Sequence, residues 1–174
     1  MLDADKVGHE SYLPNMPAWK DLIATFGEDL LLPTQEIDRK KLGGIVFNDP
    51  DALSKLNSIV HPRMREMMQQ ELKDLEAAGI KAVVLEAAIL LEANWTPLVD
   101  EVWTTEAPEK TVIERLQKRN NWTEQQVRDR IQAQLSPQER AAQAQVAINT
   151  DCSLDEVKAK VTALWETRVA ERTG

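Results

Sequence analysis

From residue 80 onward, short apolar runs alternate with segments of helical periodicity, and this alternation constrains the fold more than any other feature. "KAVVLEAAILLE", residues 81–92, is a continuous apolar run of the kind a strand carries when both of its faces are covered. "DEVWTTE" and "AQVAINT" are two further strand candidates. The segments between and after them have helical spacing: "PEKTVIERLQKRNN" with Pro108 at its start, "TEQQVRDRIQAQ" beginning at Thr123, and "SLDEVKAKVTALWETRVAER", where Ser153 and Glu156 form a capping box. Strands joined through helices predict an α/β domain with a mainly parallel sheet.

The first 80 residues predict helices instead. "MPAWKDLIATFG" sets Trp19, Leu22, Ile23 and Phe26 on one face and stops at a glycine. Asp38 caps a second helix running to Phe47, and a longer one carries Leu53, Leu56, Val60, Met64, Met67, Leu72 and Leu75 between Pro50 in its first turn and Gly79 at its end. Pro62 lies inside that pattern and predicts a kink or break near His61, because proline has no N–H and crowds the preceding turn. No repeat or linker divides the sequence, so residues 1–174 read as a single domain, with the Arg-rich hairpin around 118–142 as a mobile lid.

Apolar residues make up 43% and charged residues 29%, an ordinary globular mixture, and no apolar run approaches the roughly 20 residues a bilayer needs. The expectation is a soluble intracellular protein with no membrane span and no leader. Cys152 is the only cysteine, which excludes an internal disulfide, and no Cys/His grouping has metal-ligand spacing. A net charge of −8 argues against a nucleic-acid partner, since such surfaces need an excess of Lys and Arg. Yet Arg115, Lys118, Arg119, Arg128, Arg130 and Arg140 crowd one segment. They read either as a solvated face laced with Glu124, Asp129 and Glu139 or as a site for a small phosphorylated ligand.

Phosphoryl transfer requires an acid near the attacking hydroxyl, cations around the moving group and amides that cradle the nucleotide. Asp3 and Asp5 are two residues apart, so on an extended segment their side chains share a face; an N-cap or turn role is the other reading. Glu86, at the end of the buried run, suits a metal-bound water or a partner cation as well as an ordinary strand end, and Glu92 follows in a loop or short helix. Arg119, Arg130 and Arg140 have forked guanidiniums that converge on phosphates if the hairpin closes. His9 and His61 read equally as packing residues, and the tryptophans as core or lid packing.

Taken in order, "DADKVGHE", "FGEDLL", "IDRKKLGGIVFND", "LNSIVHPRM", "LEAAILLEANW" and "RLQKRNNWTEQQVRDRIQAQLSPQER" resemble dephospho-CoA kinase over essentially the whole sequence. "LEAAILLEANWTPLVDEVW" looks especially like the kinase half of the eukaryotic bifunctional CoA synthase, which also implies a fused or associated adenylyltransferase. The resemblance implies a P-loop fold of the nucleoside-monophosphate-kinase type, with a parallel sheet flanked by helices and a helical lid. It implies transfer of the γ-phosphoryl of ATP, with Mg²⁺, to the ribose 3′-hydroxyl of dephospho-CoA in the cytoplasm or in association with mitochondria. By position it makes Asp5 and Arg140 catalytic and assigns Asp3, His61, Glu92, Arg119 and Arg130 to substrate. It places Asn149 beside the ATP adenine, while the metal ligands stay unassigned. Ala88 stands where many bacterial members have Pro, and Asn120 where many have Asp.

Family members begin with a strand, a Gly-rich phosphate loop ending in Lys-Ser or Lys-Thr, and a helix. The pattern G-x-x-x-x-G-K-[ST] occurs nowhere in these residues, and the adjacent pair Gly43 and Gly44 lies in a helical pattern without a following Lys. The expectation is therefore an N-terminally incomplete kinase, inactive as given, whose remaining strands leave an exposed apolar gap. The alternatives are a non-catalytic CoA- or dephospho-CoA-binding scaffold and a phosphotransferase with a rebuilt ATP site.

Overall fold

The computed structural model describes residues 1–171. Two compact units make up the chain, Met1–Ala88 and the residues from Ile89 onward. The first contains β1 (Leu2–Asp3), α1 (Ala4–Ser11), α2 (Pro17–Phe26), α3 (Arg39–Val46), α4 (Pro50–Ala77) and β2 (Leu85–Glu86). The second contains β3 (Trp103–Glu106), α5 (Glu109–Asn120), α6 (Glu124–Gln132), α7 (Pro137–Gln143), β4 (Val146–Asn149) and α8 (Leu154–Trp165), followed by a π-helical turn, Glu166–Ala170.

In the first unit the helix ends fall where the sequence marks them. Pro17 opens α2 and Gly27, at φ 92°, closes it; the Asp38 side chain accepts the amides of Lys40 and Lys41; Asp49 caps α4 at Pro50. Helix α4 packs against α1, α2 and α3. Its buried Val60, Met64 and Met68 share the core with Val7 of α1, Ala18 and Leu22 of α2, and Leu42 and Val46 of α3. Helix α1 approaches α4 closely at Gly8, where a Cβ would lie 3.1 Å from Met64 Cε.

The break expected near His61 does not occur, because α4 runs unbroken through Pro62. Proline leaves the Ser58 carbonyl without its helical donor, but Ser58 is exposed to solvent, and burial of Val60 and Met64 on either side holds the helix together. The run at 81–92 also departs from expectation. Only Leu85 and Glu86 form a ladder, parallel to Leu2 and Asp3, and Ile80 and Val84 are 49% and 48% exposed rather than covered on both faces. A two-residue ladder with one partner strand buries little of either face.

In the second unit, β3 and β4 pair in parallel from Trp103 opposite Val146 to Glu106 opposite Asn149. Each parallel pair is closed by a helical crossover, as parallel strands require. Reciprocal capping boxes at Thr123/Gln126, Ser136/Glu139 and Ser153/Glu156 start α6, α7 and α8, and Asn121, at φ 55°, ends α5 in the left-handed conformation. Two hydrogen bonds from Arg168 to Glu101, which also accepts the Trp103 indole N–H, tie the π-helical turn to the entry of β3. Trp95, Ile113, Val127 and Ile148 are buried in this unit. Among the described residues no helix is long and apolar enough to cross a membrane.

Candidate functional site

In the first unit the chemistry gathers at the carboxyl ends of β1 and β2, the edge where α/β sheets bind ligands. The register sets Asp3 directly beside Glu86. Of the two roles its spacing left open, Asp3 takes the cap. It is the N-cap of α1, with Oδ1 accepting the amides of Asp5 at 2.9 Å and Lys6 at 3.2 Å. Asp5 therefore lies in the first helical turn, not on the strand, and its carboxylate makes no hydrogen bond or ion pair among the described residues; the same holds for Glu86, which is exposed rather than buried. His61 projects from α4, and partial burial pushes its imidazole pKa down by disfavouring the cation.

No group of three or more His, Cys, Asp or Glu side chains among the described residues is arranged to hold a metal ion. Asp5 and Glu86 are compatible with Mg²⁺ of the kind that phosphates and waters hold with help from one or two carboxylates, not with an all-protein cage. A cavity of about 780 Å³ beside α2, lined by Trp19, Ile23, Leu31 and Leu32, includes none of the candidate residues.

In the second unit the arginines divide into two kinds. Arg128 is bound by Glu124 at 2.6 Å and by Glu109, which fills its fork with carboxylate oxygens. Arg119, Arg130 and Arg140 have no carboxylate partner among the described residues. Arg119 donates to the Asn120 side chain, Arg130 lies 3.9 Å above the Trp122 ring and donates to the Gln126 carbonyl, and Arg140 donates to the Leu135 carbonyl at 2.9 Å. The three cations retain unspent N–H groups for an anion, although no direct bond joins them. Glu92 faces inward to protein: its Oε1 accepts the Leu135 amide at 3.0 Å.

Asn149 ends β4, and its side chain accepts the Asp151 amide to fold the loop that follows. That loop is fastened by residues not singled out as functional from sequence. Arg115 donates to the Thr150 carbonyl at 2.7 Å, Thr111 to the Asp151 carboxylate at 2.9 Å and Lys160 to the Asn149 carbonyl at 3.1 Å. Arg115 was visible only as one more charge in the basic segment; its target lies 35 residues away.

Parallel strands closed by helical crossovers define an α/β protein. Solved structures share the fold. TT1252 from Thermus thermophilus superposes with a TM-score of 0.77 at 25% identity, over 96% of this chain and 83% of that one. A dephospho-CoA kinase from Campylobacter jejuni superposes with a TM-score of 0.71 at 22% identity, over 98% and 85%. The sequence model of the dephospho-CoA kinase family matches residues 1–156. The dephospho-CoA kinase of Dehalococcoides mccartyi is 37% identical over 97% of this chain and 85% of its own length, and that of Geobacter sulfurreducens is 34% identical over the same shares. The chain belongs to the dephospho-CoA kinase family, a family of phosphotransferases acting in coenzyme A biosynthesis.

Proposed function

We propose that this chain provides the acceptor, lid and adenine sides of a site that transfers the γ-phosphoryl of ATP to the ribose 3′-hydroxyl of dephospho-CoA. Asp5 takes the hydroxyl proton as the O3′–phosphorus bond forms and the bond from the γ-phosphorus to the bridging oxygen breaks, leaving ADP. Asp3 holds the helix turn that presents Asp5. Arg140, with Arg119 and Arg130, gathers the charge on the moving phosphoryl; His61 contributes to the acceptor side, and the loop at Asn149 receives the adenine. Asp5 and Glu86, near the carboxyl ends of the paired β1 and β2, would hold the waters of a Mg²⁺ bound through the ATP phosphates, which would supply neutralising charge there.

The observation that carries this reading is the division of labour between the two aspartates: one carboxylate is spent on a cap, and the other is unengaged at the carboxyl edge of a parallel sheet. A kinase also needs an amide cradle and a lysine for the β- and γ-phosphates, and the 174 residues contain no G-x-x-x-x-G-K-[ST]. Each charge-assisted contact contributes about 1.5 to 3 kcal/mol, so several missing ones cost several powers of ten in ATP affinity. We therefore expect these residues alone to bind dephospho-CoA and to turn over little or none.

The test joins a family strand–phosphate loop–helix segment ahead of Met1 and follows ATP-dependent phosphorylation of dephospho-CoA. Turnover in the extended chain, its loss in Asp5→Asn and retained nucleotide binding in that variant are the expected results. Unchanged turnover in Asp5→Asn removes Asp5 as the proton acceptor. Full turnover by the 174 residues alone overturns the expectation of inactivity.

A further inference from the structure

The Leu135 backbone lies between α6 and α7 and is gripped on both sides of its Cα. Glu92 accepts its N–H at 3.0 Å, and Arg140 donates to its C=O at 2.9 Å. Both bonds are partly buried, and Glu92 reaches across 43 residues of sequence to make its contact. The neighbouring groups are already committed: Gln134 N–H goes to the Ile131 carbonyl, Ser136 and Glu139 close their capping box, and the Arg140 amide goes to the Ser136 carbonyl. No other acceptor for the Leu135 amide is present among the described residues.

We propose that Glu92 is a positioning residue for Arg140, acting through the Leu135 backbone rather than by touching substrate. The inference rests on the kinase reading for its functional consequence, but its geometry lies wholly within the second unit. The N–H that Glu92 accepts belongs to the Gln134–Leu135 peptide and the C=O that Arg140 meets belongs to the Leu135–Ser136 peptide, so the two bonds pin the planes on either side of one Cα. Glu139 accepts the Ser136 N–H and fixes the second plane against α7, and Glu92 fixes the first, so the residue joining α6 to α7 is held on both sides. With the Glu92 bond in place, one arm of the guanidinium is anchored at Leu135 and the other N–H groups are aimed in a constant direction. Without it, the junction between α6 and α7 can turn, and the cation is shared among several rotamers. Arg140 has no carboxylate to hold it in their place, so the Leu135 carbonyl is its sole anchor among the described residues. The family resemblance implies a substrate role for Glu92; in the structure one of its oxygens is bonded to backbone.

The proposal distinguishes charge from acceptance. Glu92→Gln keeps an oxygen that accepts the amide and removes the charge, whereas Glu92→Ala removes both. The experiment follows two quantities: the order of the Arg140 Nε–H by ¹⁵N relaxation in the 174-residue chain, and ATP affinity by calorimetry in the chain extended by the family strand–phosphate loop–helix segment, each in wild type, Glu92→Ala and Glu92→Gln, with Arg140→Ala and the double variant Glu92→Ala/Arg140→Ala added for affinity. Expected are a more mobile Arg140 side chain in Glu92→Ala, near-wild-type order in Glu92→Gln, and an ATP affinity about three- to tenfold weaker in Glu92→Ala, with no further loss when Arg140 is already alanine. A general loosening of the fold would lower affinity additively with Arg140→Ala, and that result overturns the proposal. So does an Arg140 side chain equally ordered in wild type and Glu92→Ala. If Glu92→Gln is as damaging as Glu92→Ala, the charge itself is required and Glu92 contacts ligand directly. If the extended wild type shows no measurable ATP affinity, the nucleotide part of the kinase reading fails, while the relaxation comparison still decides whether Glu92 positions Arg140.

Discussion

The sharpest test of the site separates Asp3 from Asp5 by stability alone. Asp3 Oδ1 is the acceptor for the Asp5 and Lys6 amides, two of the donors that a helix start leaves without intrahelical partners. Replacing an N-cap aspartate by alanine costs about 1 kcal/mol, and because this side chain is exposed, loss of its charge near the helix N-terminus adds only about 0.3 kcal/mol. Fraying cannot absorb that loss: Ala4 and Val7 in the affected turns are 2% exposed and pack into the core, so unwinding them exposes apolar surface. The cost should therefore appear in global unfolding, as a fall of about 2–5 °C in Tm for a chain of this length. Asp3→Asn keeps an oxygen in place and should lose only a few tenths of a kcal/mol, about what Asp5→Asn loses through weaker interaction with the helix dipole. Urea titration followed by circular dichroism on the three variants reads these differences directly. Asp3→Ala matching wild type while Asp5→Asn loses about 1 kcal/mol would reverse the assignment of the two acids and refute the capping argument.

Two further outcomes follow from the same structure. Burial lowers the His61 pKa from its ordinary 6.5, so the unfolded chain binds the proton more readily; the stability from keeping the imidazole neutral is present above pH 6.5 and is lost as pH falls from there through the lower folded value. Urea midpoints measured between about pH 7 and pH 5 should therefore fall more steeply in wild type than in His61→Gln, and equal slopes would show that His61 is not shielded in the fold. Arg168→Ala removes a forked partner from Glu101, whose side chain is only 16% exposed, and because the arginine is 37% exposed the cost is at the low end for a charged hydrogen-bonded pair, about 1.5 kcal/mol. A loss below about 0.5 kcal/mol in denaturant unfolding would mean that the pair is no more than a surface contact.

What the sequence made legible is what local geometry decides. Asp38, Thr123 and Ser153 were readable as helix starts because a cap and the amides it serves lie within three residues of each other, and Pro108 because its ring fixes φ near the helical value and it cannot continue a preceding helix. The α2 stop at Gly27 was readable for the same reason, since its φ of 92° suits glycine. What stayed open or was misread depends on context that local pattern does not carry. The spacing of Asp3 and Asp5 left an extended pair and an N-cap both open, and the strand ends at Asp3 because its side chain offers the following amides a helix start. The apolar run at 81–92 reads as a covered strand, but coverage depends on neighbouring strands, and only β1 pairs with it among the described residues. Pro62 reads as a breaker, but packing of α4 on three other helices outweighs one lost backbone bond.

The site divides along the same line, with one instructive exception. The grip of Glu92 and Arg140 on Leu135, and that of Arg115 on Thr150, join residues far apart in sequence and leave no periodic trace. The sorting of the arginines, by contrast, was within reach of helix geometry, because partners on one helix face stand four residues apart. Four positions before Arg128 is Glu124, and that arginine is bound to it. Four positions before Arg119, Arg130 and Arg140 are Arg115, Gln126 and Ser136, none of them an acid. A basic segment in an acidic protein becomes an anion site only where its cations are left uncompensated. The spacing thus separates the arginine engaged in holding α5 and α6 together from the three that have no carboxylate partner among the described residues.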